Sequence, residues 1–318
     1  MFSRFKNLST AISAVIFSYV ILSLEAYAEP RVGVIIPELR APFNVIFETV
    51  GMGVDDRLNK KSSKLLLKKG YDPQSINRWI EKEKIRAVIT LGGVGRKASV
   101  HVPKNIPIVL GALLSSPGPA NKLPGVALTP NPKSLFNLLK RLDNKRKKIV
   151  VVYNPKKNQW LVDLAKRQAA AKGVRLVAYE AIDIKQSAII YDKVFDGSEL
   201  DETAIWLLQD RKIVDSKVVL PFILEKAWQK KIVVFSSALS HVKKGVLFSM
   251  YPDNKLHGKQ LAELMLKASS NSASSLNNGL YPTEGLQDAI NSRTAEHLGL
   301  SVSRSELREF DVVFPLSN

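Results

Sequence analysis

The stretch Lys148-Ile149-Val150-Val151-Val152-Tyr153-Asn154-Pro155 decides the fold. Four β-branched residues and a tyrosine in succession, closed by an Asn-Pro turn signal, read as a strand buried on both faces, the habit of a parallel sheet. A helix is expected next, from about Gln159 to Ala171, stopped by Gly173, a residue suited to a left-handed terminus. Further short apolar runs follow at Val174–Ala178, Ala204–Leu208, Ile232–Phe235 and Val246–Met250, with helical segments between them. Pro221 lies in one of those segments, so that helix starts late or kinks.

The residues before Lys148 show the same alternation. Arg31-Val32-Gly33-Val34-Ile35-Ile36, Lys64–Leu67, Ala87–Leu91, Ile106–Leu110 and Val126–Leu128 are strand candidates. Helical spacing spans Phe43–Leu58, Asp72-Pro73 to about Lys84, and Pro132–Leu142. After Asn254 a helix carries Leu261, Leu264, Met265 and Ala268 on one face, followed by a polar loop over Ser269–Asn278. A strand near Leu286–Ile290 and a helix near Arg293–Leu298 come last. Two βα successions in one chain predict an α/β protein of two Rossmann-like lobes, each a parallel sheet flanked by helices, joined by a multi-strand hinge. The expected divisions are a signal peptide over 1–28, a first lobe over 29–145, a second over 146–250, and a crossover segment over 251–318. Hinge crossings are expected near Asp143–Lys148 and Ser237–Asp253.

Composition fits this reading. The 318 residues exceed what one hydrophobic core usually organises, and a hydrophobic content of 45% excludes a disordered polymer. There is no cysteine, which excludes disulfides, thiol nucleophiles, cysteine-held zinc and iron–sulfur clusters. The four histidines, at 101, 241, 257 and 297, show no HExxH spacing. No metal or other cofactor is expected.

The chain is strongly basic, with 47 Lys and Arg against 29 Asp and Glu, a net charge of +18. Such a balance suits nucleic acid, an anionic surface, or simple solvation. The amino terminus decides among them. Arg4 and Lys6 precede an apolar run over Thr10–Leu24, and Ala26-Tyr27-Ala28 is a small-x-small cleavage site before Glu29-Pro30. The run is 15 residues, short of the roughly 20 that span a bilayer. Export with cleavage after Ala28 is expected, and an exported protein does not meet the genome, so no nucleic-acid partner is expected. The dense run Lys140-Arg141 with Lys145-Arg146-Lys147-Lys148 reads as a helix end and a solvated turn. A cysteine-free exported protein has no lipid tether, which places it free in the periplasm.

In parallel sheets ligands bind beyond the carboxyl ends of the strands. The candidates for ligand contact are therefore Phe43 after the first strand, Gly92 and Gly93 after the third, and Ser115 and Ser116 after the fourth. From the second lobe come Tyr153 and Asn154 with Gln159, then Gln209 and Asp210, then Ser236, and Tyr251 and Asp253 after the last strand. Each also has a structural use, as a turn or a helix cap. No GxSxG elbow is present, Gly51-Met52-Gly53 lacks the third glycine of a dinucleotide fingerprint, and Gly92-Gly93-Val94-Gly95-Arg96-Lys97 lacks the spacing of a phosphate loop. Nothing in the spacing points to catalysis.

These segments resemble a known family. Lys148–Pro155, Gln209-Asp210, Ile232-Val233-Val234-Phe235-Ser236, Val242-Lys243-Lys244-Gly245-Val246, Leu256-His257-Gly258-Lys259-Gln260-Leu261-Ala262, and above all Ala289-Ile290-Asn291-Ser292-Arg293-Thr294-Ala295-Glu296-His297-Leu298-Gly299-Leu300 are similar to the ABC-transporter substrate-binding proteins of the periplasmic-binding-protein-like I fold, in the branch of tryptophan/tyrosine-type binding proteins. The resemblance implies a non-enzymatic, monomeric protein that closes on a small, amino-acid-like ligand and delivers it to an ABC permease in the inner membrane. It implies a place for Asp210 near a ligand ammonium. Gly92-Gly93 stands where amino-acid-binding members commonly carry Gly-Thr, and Arg211 beside Asp210 is unusual. An envelope sensor or assembly protein that kept the fold remains an alternative, and a sheet-based enzyme a second.

Overall fold

The computed structural model describes residues 31–114, 123–270 and 279–316. In chain order it runs β1 Val32–Pro37, α1 Phe43–Leu58, β2 Ser63–Leu67, α2 Gln74–Glu83, β3 Ala87–Leu91, α3 Gly92–Ala98, β4 Ile108–Leu113 and β5 Gly125–Pro130. Next come α4 Pro132–Leu142, β6 Lys148–Tyr153, α5 Pro155–Ala170, β7 Arg175–Glu180, α6 Ile184–Phe195, β8 Thr203–Leu207, α7 Val219–Gln229 and β9 Val233–Ser236. The chain finishes with α8 Leu239–Val242, β10 Phe248–Pro252, α9 Asn254–Ala268, β11 Leu280–Thr283, β12 Leu286–Asn291, α10 Ser292–His297, α11 Arg304–Leu307 and β13 Val312–Phe314.

The strands form two sheets. The first has the order β11-β5-β4-β3-β1-β2, with all pairs parallel. The second has the order β13-β12-β10-β9-β8-β6-β7, in which only β10 and β12 run antiparallel. The fold is that expected from the alternation of runs: two mostly parallel sheets flanked by helices. Val150, Val151 and Val152 are at most 1% exposed, as a strand covered on both faces requires. Each such side chain contributes roughly 1.5–3 kcal/mol on burial, so the run has nowhere more stable to go than a sheet interior.

One boundary differs from expectation. Helix α4 buries Leu135, Phe136 and Leu139 in the core that holds β6, α5 and β8, not against the first sheet. The chain therefore leaves the first sheet at Pro130-Asn131, ahead of the Asp143–Lys148 crossing and the boundary at residue 145 read from the sequence. Helix α9, in turn, returns to the first sheet, where Leu261, Ala262 and Met265 join Val50, Val54 and Ile89. Its approach to α1 explains Gly53, whereas Gly51 faces Lys64 and Ile36. A Cβ on Gly53 would lie 1.9 Å from the Lys255 carbonyl oxygen, and one on Gly258 would lie 2.0 Å from that of Val50. The glycines let two helix backbones touch.

Among the described residues, three segments connect the sheets: Pro130–Pro132 from β5, Pro252–Asn254 from β10, and Thr283–Leu286 from β11. All three depart from carboxyl ends of strands, so both sheets turn those ends toward one another. The crossings are bound side by side. The Asn131 N–H donates to the Thr283 carbonyl at 3.1 Å, and the Asp253 N–H to that of Gly285 at 3.0 Å. Asn131 Nδ2 donates to Glu284 Oε1 at 2.6 Å, and Gln260 Oε1 accepts the Glu284 N–H at 3.0 Å.

Candidate functional site

The carboxyl ends of the strands carry the candidate residues, and local chemistry fixes how each is held. In the first sheet, β1 ends in a turn that leaves Leu39 and Phe43 exposed, at 44% and 64%. Gly92 begins α3 at φ +65°, and a Cβ there would press on the Phe47 ring at 3.0 Å. Only glycine takes that conformation without strain. Gly93 is exposed, with nothing within 4 Å of the position a Cβ would take. Ser115 and Ser116 lie outside the described residues, as does the expected signal segment 1–28.

The second sheet holds its candidates more tightly. Asn154 accepts the Lys156 N–H and caps α5, with Pro155 as the first helical residue. The Asn-Pro pair is thus a helix start, four residues before the one expected at Gln159. Tyr153, 3% exposed, directs its hydroxyl to Gln159 Oε1 at 2.8 Å and Glu180 Oε1 at 3.2 Å. Gln159 Nε2 donates onward to Asp163 Oδ1 at 2.8 Å. Burial and the Glu180 carboxylate push the Tyr153 hydroxyl above the usual tyrosine pKa.

Gln209 is exposed, whereas Asp210 is buried. Asp210 Oδ1 accepts Lys157 Nζ at 3.0 Å and the Lys212 N–H at 3.0 Å. The Lys157 side chain is 40% exposed and that of Asp210 2%, so the lysine covers the carboxylate.

Ser236 has no exposed surface. Its Oγ stands 2.8 Å from His241 Nδ1 and accepts the Ala238 N–H at 3.1 Å. Burial and Lys244 push the His241 pKa down to about 4, so the ring is neutral at ordinary pH. Tyr251 packs against the small core of Val242, Ala289 and Phe314, and burial together with nearby carboxylates raises its hydroxyl pKa. Asp253 accepts the Leu256 N–H at 2.9 Å and caps α9 at a crossing.

Sequence reasoning missed Lys157 and Glu180. Lys157 sits in the first turn after a strand end, a place that would have singled it out. Glu180 ends the edge strand β7, with no signal of its own. Cavities of about 420, 300 and 570 Å³ occur elsewhere, and none is lined by a candidate residue. The dense basic run is largely neutralised. Arg141 pairs with Glu309, Lys147 with Glu202 and Lys148 with Glu199. Arg146 is not in a solvated turn but is buried on Asp143, at 2.7 Å. Among the described residues no group of His, Asp and Glu is placed to hold a metal ion, and no helix is long and apolar enough to cross a membrane.

Two mostly parallel α/β sheets joined by crossings at their carboxyl ends make up the fold. The family model described as ABC transporter substrate binding protein matches residues 68–305, and the chain belongs to that family. Solved structures share its fold. A substrate binding protein with adhesive properties from Clostridium difficile, ligand-free and open, is 17% identical over 89% of this chain and 99% of its own, with a TM-score of 0.60. An ABC domain from Streptococcus pneumonia in complex with L-Trp is 17% identical over 90% of this chain and 100% of its own, with a TM-score of 0.52. A conserved domain protein from Vibrio cholerae is 22% identical over the same shares, also with a TM-score of 0.52. No curated protein matches the chain.

Proposed function

We propose that this protein captures a small organic molecule between its two sheets, outside the cytoplasm, and presents it unchanged to an ABC permease of the inner membrane. The observation that supports the reading is the departure of all three crossings from strand carboxyl ends; in this reading Phe43, Gly92 and Gly93 on one side, and Gln209, Asp210 and its Lys157 on the other, line one cleft. Closure is a hinge motion at Asn131, Asp253 and Glu284, stabilised when a guest touches both sides. The protein works as a monomer in the periplasm, freed of residues 1–28, with no nucleic-acid partner and no chemistry of its own.

The test is a thermal-shift screen of small metabolites on periplasmic protein whose mass is measured at the same time. The mass should begin at Glu29, and a guest at a hundred times its Kd should stabilise the fold by about 2.7 kcal/mol. Stabilisation by nothing in the screen, with no small molecule released from freshly isolated protein, favours an envelope protein that kept the fold without a ligand. The L-Trp seen in the Streptococcus pneumonia structure makes amino acids the first compounds to try.

A further inference from the structure

We infer that the guest is an organic anion with an apolar body and no ammonium group, a carboxylate rather than an amino acid. This rests on the cleft reading above and narrows it to a class of ligand.

The carboxylates of Asp210, Glu180, Asp253 and Glu38 each have at least one oxygen engaged. Asp210, which the family resemblance sets near an ammonium, already holds one in Lys157 Nζ, and accepts the Lys212 N–H on the same oxygen. Its second oxygen is buried without a hydrogen-bond partner, and an ammonium arriving from the cleft meets the Lys157 charge before it can reach that oxygen. Glu180 takes the Tyr153 hydroxyl, Asp253 caps α9, and Glu38 pairs with Lys68 at 3.5 Å. Desolvating an ammonium with no carboxylate to meet it is strongly unfavourable.

The cations are not engaged in the same way. Arg40 in the turn after β1, and Arg211 in the turn after β8, are exposed and have no carboxylate partner among the described residues. Lys157 remains 40% exposed on its open side. A guanidinium and an ammonium flanking one strand-end region suit a planar carboxylate, which accepts several charge-assisted hydrogen bonds at once. Across the cleft, Leu39 and Phe43 present apolar surface that a carboxylate alone does not use. The Lys157 and Arg211 side fits an anionic head, and the turn after β1 offers an apolar body the surface of Leu39 and Phe43 beside the Arg40 guanidinium.

Calorimetry with matched pairs that differ only in the ammonium tests the assignment: indole-3-propanoate against L-tryptophan, 3-phenylpropanoate against L-phenylalanine, and 4-methylpentanoate against L-leucine. In the pair that binds, the acid without the ammonium should bind roughly tenfold tighter or more, the size of one charged hydrogen bond. Arg211→Gln should weaken that acid while leaving the melting temperature unchanged, because the exposed Arg211 side chain has no hydrogen bond or ion pair among the described residues. Tighter binding of the amino acid overturns the class and leaves the cleft reading standing. If none of the six binds, the molecule released from freshly isolated protein decides: an apolar anion supports the class, and a cation, zwitterion or neutral guest overturns it. Binding of nothing by any route removes both readings.

Discussion

The two sheets present opposite kinds of surface at their carboxyl ends. Those of the first are open: Gly93 faces empty space, and Leu39 and Phe43 stand in solvent. Those of the second are closed upon themselves, through Lys157 with Asp210, Tyr153 with Gln159, and Ser236 with His241. Apart from one oxygen of Asp210, which has no partner, these polar groups cannot reorganise without breaking a bond that water does not readily replace in a buried place. In the proposed reading the second sheet is a preformed wall, while the first offers an exposed lip for a guest to cover.

The largest test of this contrast is mechanical. The first lobe depends on α9 touching α1, and Gly258→Val drives a side chain into the Val50 carbonyl, 2.0 Å from the Cβ position. A loss of about 3 kcal/mol in chemical denaturation is expected, since backbone on both sides prevents relaxation. Acid comes next, and it acts on both lobes. His257 is fully buried, with Nε2 accepting the Ala112 N–H at 3.2 Å and Nδ1 3.4 Å from Thr283 Oγ1, and burial pushes its pKa down to about 4. His241 serves the second lobe in the same way. The unfolded chain takes up these protons first, near pH 6.5. Stability therefore falls as pH drops below about 6.5, and the contribution of each ring, about 3 kcal/mol, is lost in full near pH 4. Denaturation midpoints from pH 7 to 4 should show this, and His257→Gln should make the decline shallower.

Smaller effects separate the two walls. Lys157→Met strands a buried carboxylate and should cost about 1–2 kcal/mol, discounted because the lysine is partly in solvent. Adding Asp210→Asn should restore most of the loss; failure to do so would mean that the pair does not hold the wall together. Gly93→Ala should change stability by no more than about 0.5 kcal/mol, because its Cβ meets nothing. A larger loss there would show that the first wall is not open.

Much of this was legible in the sequence, for stated reasons. Apolar runs such as Ile149–Tyr153 and Ala87–Leu91 have no alternative to a covered parallel strand, so both sheets could be read. The partner of α4 could not, because its apolar stripe over Leu135, Phe136 and Leu139 shows that one face is buried without naming the sheet that buries it. Strands β11 and β13 are too short to stand out from loops. At the site, position was legible and use was not. Asn154 and Asp253 lie at strand ends as expected, yet serve as helix caps, and the same residue types suit either role. The pair of Lys157 and Asp210 joins residues 53 apart, a contact that only the β6–β8 pairing creates.

The most direct test is a crystal structure of the protein isolated under native conditions with whatever small molecule accompanies it. The account predicts density for an unaltered guest in contact with both sheets at once, with Phe43 or Gly93 on one side and Lys157 or Arg211 on the other. A guest seated against a single sheet, or one found chemically transformed, would contradict it.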